Sequence, residues 1–152
     1  MKWIEEKYKK WVLDYTDAWM ERTKQNNGIL PDNVGPTGKV GENRNGQWWG
    51  NIYGWSHYQG FNIMYHAMDI ASECALLVSG DFGYLDLLRS QINVVLDQAK
   101  TGEDEQLMVP LKHGPDGWSD YVPLRLKELA VSLISAEEGG SVQVSDESGE
   151  YS

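Results

Sequence analysis

Apolar side chains recur at spacings of three and four near the N-terminus, at Ile4, Tyr8, Trp11, Val12, Tyr15, Ala18 and Trp19. That period marks one face of a helix. It predicts an amphipathic helix over residues 2–24 that turns Glu5, Glu6, Lys9, Lys10 and Asp14 to water. The segment 60–79 differs: Phe61, Met64, Ala67, Met68, Ile70, Ala71, Cys74, Ala75 and Leu77 cover nearly every direction, which predicts a helix packed on several sides. Asn62, His66, Asp69 and Glu73 form its one polar stripe. "SGD" at 79–81 then punctuates the chain. Gly80 suits a left-handed helix end and Asp81 suits the cap of the next helix, predicted over 82–100 on Leu85, Leu88, Ile92, Val95 and Leu96. A fourth helix, over 123–136, is predicted from Leu126, Leu129, Leu133 and Ile134, with Pro123 in its first turn. Residues 137–152 are small, polar and acidic, the composition of a disordered tail.

Two long connections remain, at 25–59 and 101–122, and both are too aromatic for simple linkers. They share a faint pattern: "LPDNVG" then "WGNIY" in the first, "VPLKHG" then "WSDY" in the second. Helix, long loop, helix and tight turn in succession place both long loops at one end of an all-α arrangement, with wet outer helices alternating with a surrounded inner one. Within it, 1–136 is the helical hairpin domain.

On these features the chain resembles part of an (α/α) toroid of the six-hairpin glycosidase-like superfamily. The resemblance rests on the helix alternation and on "NNGILPDNVGPTGKVGENRNGQWWGNIYGW" leading into "FNIMYHAMDIASECALLVSG". It is similar to segments of large bacterial proteins thought to act on polysaccharides. The resemblance implies about two hairpins of a ring of six, a sugar cleft built from the loops, and an oligo- or polysaccharide as partner. A fragment of such a ring would leave apolar helix surface uncovered, for missing hairpins or for self-association.

Composition narrows the field. With 152 residues, 41% of them hydrophobic, the chain can build one domain with a real core. Its formal net charge of -10 disfavours nucleic acid and anionic membranes as partners. Cys74 is the single cysteine; it lies in an apolar run and reads as a small buried hydrophobe, and cysteine-based zinc motifs are excluded. No segment approaches the roughly 20 apolar residues of a membrane span. The charged start "MKWIEEKYKK" is no signal peptide, although a secreted or periplasmic parent would carry its signal elsewhere. The stripe His66, Asp69, Glu73 lacks a second ligand pair for a metal, and no motif calls for a cofactor.

The loops hold the candidate chemistry. Glycoside hydrolysis needs an acid and a second carboxylate about 5–9.5 Å apart, and the loops offer Asp32, Glu42, Asp116 and Asp120. Asp32 in "PDNVG" and Asp116 in "GPDGW" equally suit turns in which the carboxylate bonds its own backbone. A lyase would need a proton-abstracting Tyr or His and a cation or amide to neutralise a uronate; Tyr53, His57, Tyr58, Arg44 and His113 form that inventory. Trp49, Tyr53, Trp55, Tyr58, Trp118 and Tyr121 are the candidate stacking platform, against a competing role as packing rings. Three readings follow. A saccharide-cleaving segment requires facing carboxylates, a noncatalytic saccharide-binding module requires exposed rings without them, and a helical interaction module requires an exposed apolar helix face.

Overall fold

A computed structural model describes residues 5–124 of the chain. Within them lie helices α1 (Glu6–Gln25), α2 (Gly60–Ser79) and α3 (Asp86–Asp97), with a 3-10 turn (Phe82–Leu85) leading into α3. Three strands follow, β1 (Lys100–Thr101), β2 (Leu107–Gly114) and β3 (Gly117–Pro123), hydrogen-bonded in the order β1-β2-β3. The fold is therefore α+β, which corrects the all-α expectation and removes the toroid resemblance with it.

The difference lies in the second long connection. Residues 107–123 are no loop but an antiparallel hairpin in which Val109 pairs with Val122 and His113 with Trp118. Pro115 and Asp116 form its turn, and Gly117 at φ 90° takes the left-handed position that closes a type I turn onto a hairpin. Pro123 ends β3 instead of opening a helix; the rest of the predicted fourth helix and the tail lie outside the described residues, as does Ile4.

The junction between α2 and α3 follows its sequence. Gly80, at φ 74°, donates its N–H to the Leu76 carbonyl at 2.7 Å, and Asp81 accepts the Gly83 N–H at 2.8 Å. The core beyond it is built from Leu30, Trp55, Phe61, Met64, Tyr65, Met68, Leu85, Leu87, Leu88, Ile92 and Val95. α2 is its hub, touching α1, α3 and β2.

Two amphipathic expectations hold only in part. α1 buries Thr16 and Thr23 most deeply, and of its aromatic stripe only Trp19 packs against the core, while Tyr8, Trp11 and Tyr15 stand exposed. The reason is close packing. Thr16 sits against the Ala71 carbonyl of α2 at 3.4 Å, and small side chains let the two helices approach where Tyr or Trp would hold them apart. α2 in turn is not surrounded, because Ile70, Cys74 and Leu77 face outward. Cys74 is thus an exposed thiol, not a buried hydrophobe.

One polar core residue ties the first long connection down. Gln91, fully buried on α3, accepts the Leu30 N–H at 2.8 Å and donates to the Gly28 carbonyl at 3.0 Å. Replacing Gln91 by Ala strands the buried Leu30 N–H, and an unsatisfied buried group costs about 1–3 kcal/mol. Urea denaturation of Gln91→Ala is expected to show a loss of that order with the m-value unchanged. A loss below about 0.5 kcal/mol, the usual limit for surface changes, would contradict this anchoring.

Candidate functional site

The aromatic segments at 48–58 and 113–121 meet in space, and Trp55 is where they meet. Its indole is fully buried and donates Nε1–H to the Leu30 carbonyl at 2.6 Å. Its backbone N–H donates to Asp32 Oδ2 at 2.6 Å, and its carbonyl accepts the His113 N–H of β2 at 2.9 Å. Ser56 adds a hydroxyl bond to the His113 carbonyl at 3.0 Å. The proposed stacking role of Trp55 is thereby corrected: the ring is core, not platform. Gly60 opens α2 directly against the Trp55 backbone, where a Cβ would overlap the Trp55 carbonyl.

The loop carboxylates have separate partners. Asp32 accepts backbone N–H groups of Trp55 and of Asn51, the latter at 3.2 Å, and so clasps the loop ahead of α2. Burial raises its carboxyl above the ordinary 3.8, opposed by those amide bonds, by the Gly50 amide and by the charge of Arg44. Glu42 accepts the Thr37 N–H at 3.1 Å inside the 33–47 loop. Asp116 occupies the hairpin turn, and Asp120 pairs with Lys112 across β2 and β3 at 3.2 Å. Asp32 thus bonds backbone 19 and 23 residues away and not that of its own turn.

Around Trp55 the rings form a cage about His113. Trp48 lies 4.7 Å from the imidazole by ring centroids, Trp118 4.9 Å and Trp49 5.3 Å. Trp118 also meets Trp55 edge-on at 5.3 Å. Trp49 and Trp118 are half-buried here. Lys100 stands over the half-buried Tyr121 ring at 4.2 Å. His113 Nδ1 is buried without a hydrogen-bond partner, and burial holds the imidazole below the ordinary 6.5. The half-buried imidazole packs among the indoles of the hairpin.

Tyr53, His57 and Tyr58 remain, on the outer side of the same loop. Tyr53 is 72% exposed and Tyr58 65% exposed. His57 lies between them, 6.3 Å from the Tyr53 ring and 4.3 Å from that of Tyr58. Its Nδ1 accepts the Gln59 N–H at 3.2 Å, which leaves Nε2 as the nitrogen directed away from the backbone. Arg44, the cation in the lyase inventory, instead sits beside Asp32 and Gly50. No three His, Cys, Asp or Glu residues among the described ones could hold a metal ion.

A cleft of about 510 Å³ opens elsewhere, between α1 and the start of α3, over Met20 and Leu87. None of the loop candidates lines it. Its carboxylates are already engaged, Asp17 by Tyr84, Glu21 by Gln25 and Asp86 by Arg89. Sequence reading missed Gln91 and the central place of His113. Gln91 gave a signal, since it falls three residues after Leu88 and four before Val95 on the apolar stripe of α3.

Fold and site together define a small α+β module in which Asp32 and Glu42 bond backbone and the loop aromatics divide into a half-buried cage and an outer ladder. The chain belongs to the family described as Domain of unknown function (DUF8034), whose model matches residues 1–130. This assignment and the sheet replace the glycosidase and hydrolase readings. No curated protein and no solved structure matches the chain. No helix among the described residues is long and apolar enough to cross a membrane.

The two half-buried ionisable groups act in separate pH windows. The unfolded chain protonates His113 near 6.5 while the folded cage resists, so stability falls as pH drops from there to the lower folded value. Asp32 has the opposite sign: its raised carboxyl takes a proton more readily in the fold, which adds stability as pH falls through that raised value toward 3.8. His113→Phe keeps a ring in the cage and removes the first effect. Between about pH 7 and about pH 5 the thermal midpoint of this variant is expected to drop less than that of the wild type. Equal slopes would show that His113 titrates as a solvated residue.

Proposed function

We propose that the chain is a noncatalytic binding module that takes a saccharide on the Tyr53–His57–Tyr58 ladder. The observation that carries this reading is two exposed tyrosines flanking a histidine on a loop held from beneath by Asp32 and Trp55. Pyranose rings present axial C–H faces that stack on aromatic rings, and neighbouring polar groups satisfy their hydroxyls. The phenol hydroxyls and His57 Nε2 supply such groups. Asp32 and Glu42 accept backbone N–H groups and Asp120 pairs with Lys112, which favours binding over acid and base work.

A protein-interaction role is favoured by a different observation, the uncovered apolar side chains on the outer faces of α1 and α2. The two roles use separate surfaces and can coexist.

Glycan-array binding followed by titration calorimetry tests the saccharide reading. The wild type is expected to bind a neutral or cationic oligosaccharide, and Tyr53→Ala and Tyr58→Ala are each expected to weaken binding roughly tenfold, the equivalent of about 1.4 kcal/mol. Trp11→Ala, on α1, is expected to bind as the wild type does. Unchanged affinity in both tyrosine variants, or no glycan bound at all, would remove the ladder as the site.

A further inference from the structure

The outer face of the α1–α2 pair is the most apolar open surface among the described residues. On α2, Ile63, Ala67, Ile70, Cys74 and Leu77 recur at spacings of four, three, four and three, the seam of helices that pair in register. Ala67, Ile70, Cys74 and Leu77 are exposed and Ile63 is half-buried. α1 runs opposite to α2: Leu30, past the end of α1, meets Trp55 ahead of α2, while Tyr84, past the end of α2, meets Asp17. Met20 packs toward the core on one flank of the Thr16–Ala71 contact. At 100° per residue, Tyr8 and Tyr15 lie on the other flank, the same side as the α2 seam. Trp11 continues this aromatic edge, 6.3 Å from Tyr15 by ring centroids.

We infer that this face is the interface of a two-fold symmetric dimer, with a second copy of the chain as its occupant; the inference rests on the interaction role stated above. Area is the first argument. Trp11 is 69% exposed and Ile70 and Leu77 are each 66% exposed. With Tyr8 and Tyr15 these side chains open on the order of 600 Å², against about 800 Å² per partner in a standard interface. A monomer seldom leaves so much apolar surface in one patch.

Symmetry and charge select a second copy. The seam is balanced about Ile70, with Ile63 and Leu77 seven residues to either side and the small Ala67 and Cys74 next to it. An antiparallel copy turned about a two-fold axis near Ile70 sets each Ile70 over small side chains of its partner and brings Ile63 level with Leu77 of the other chain. The same operation leaves His66 and Glu73 on one side of the seam and at nearly one height. His66 of each copy then faces the opposing Glu73, so two complementary pairs flank the apolar strip. On α1 the charges near the aromatic edge are already matched, Lys10 with Asp14.

Sedimentation velocity on the full chain, from micromolar to about 200 μM, tests the assembly together with two variants. The wild type is expected to dimerise, and Ile70→Asp is expected to be monomeric with an unchanged circular dichroism spectrum, because Ile70 takes no part in the core. A second variant, Ile70→Cys with Cys74→Ala, is expected to form a disulfide-linked dimer on mild oxidation, since residue 70 lies on the axis. Oxidised wild type is expected to stay uncrosslinked. A dimer that survives Ile70→Asp, or one that crosslinks through native Cys74, overturns the proposed face or its antiparallel sense. Should the wild type be monomeric yet bind anilinonaphthalene sulfonate in a manner abolished by Ile70→Asp, the second copy is ruled out and the face serves another protein. A monomer without dye binding removes the interaction role as well.

Discussion

A single buried indole sets the arrangement of everything outside the helices. Trp55 is bonded through its ring nitrogen to Leu30, through its amide to Asp32 and through its carbonyl to the hairpin at His113. Two of these bonds hold the 30–32 segment and the third holds the hairpin, and the ring satisfies its only donor while filling the core beside Phe61 and Trp118. Buried polar groups are costly unless paired, so these bonds fix one geometry for the loop, the hairpin and the start of α2 together. Gln91 repeats the device one step away, holding Leu30 and Gly28 to α3. The first long connection is irregular in shape but bonded to the core at both ends.

This fixation commits Asp32 to backbone amides. A general acid must hold a proton near its substrate and a partner carboxylate must stand across the cleft. Asp32 has its environment shifted in the direction an acid needs, but its oxygens point at backbone amides beneath the loop. A perturbed carboxyl marks an active site only when it also faces one. Here the same burial that raises Asp32 accompanies its role as a clasp on the loop.

Much of the fold was legible in the sequence, and the reasons for the failures are physical. α1, α2 and the Gly80–Asp81 junction follow from period and cap chemistry, since both are local properties. The hairpin was hidden because His113 and Trp118 read equally well as loop aromatics, and Pro110 within β2 and Pro123 at the end of β3 argue against strands. "GPDG" carried the turn signal, yet a turn alone does not say that the segments flanking it pair. Tyr53 and Tyr58 were nominated together with Trp55 on composition. Only the three-dimensional placement separates the buried ring from the exposed ones.

α1 shows most plainly why periodicity cannot choose a face. Its aromatic stripe has the larger apolar area, yet the protein packs the helix through Thr16 and Thr23. Close helix packing rewards small side chains and good fit as well as area. Threonine meets that demand, and the Thr16 hydroxyl is satisfied within its own helix by the Val12 carbonyl at 2.9 Å. Once the threonines are placed inward, geometry forces Tyr8, Trp11 and Tyr15 out beside Ile70 and Leu77. The exposed surface is therefore a direct consequence of how the α1–α2 contact is made. Burying that aromatic edge among the described residues would mean rotating α1 and opening the Thr16–Ala71 contact, whereas a partner can cover it with the fold intact.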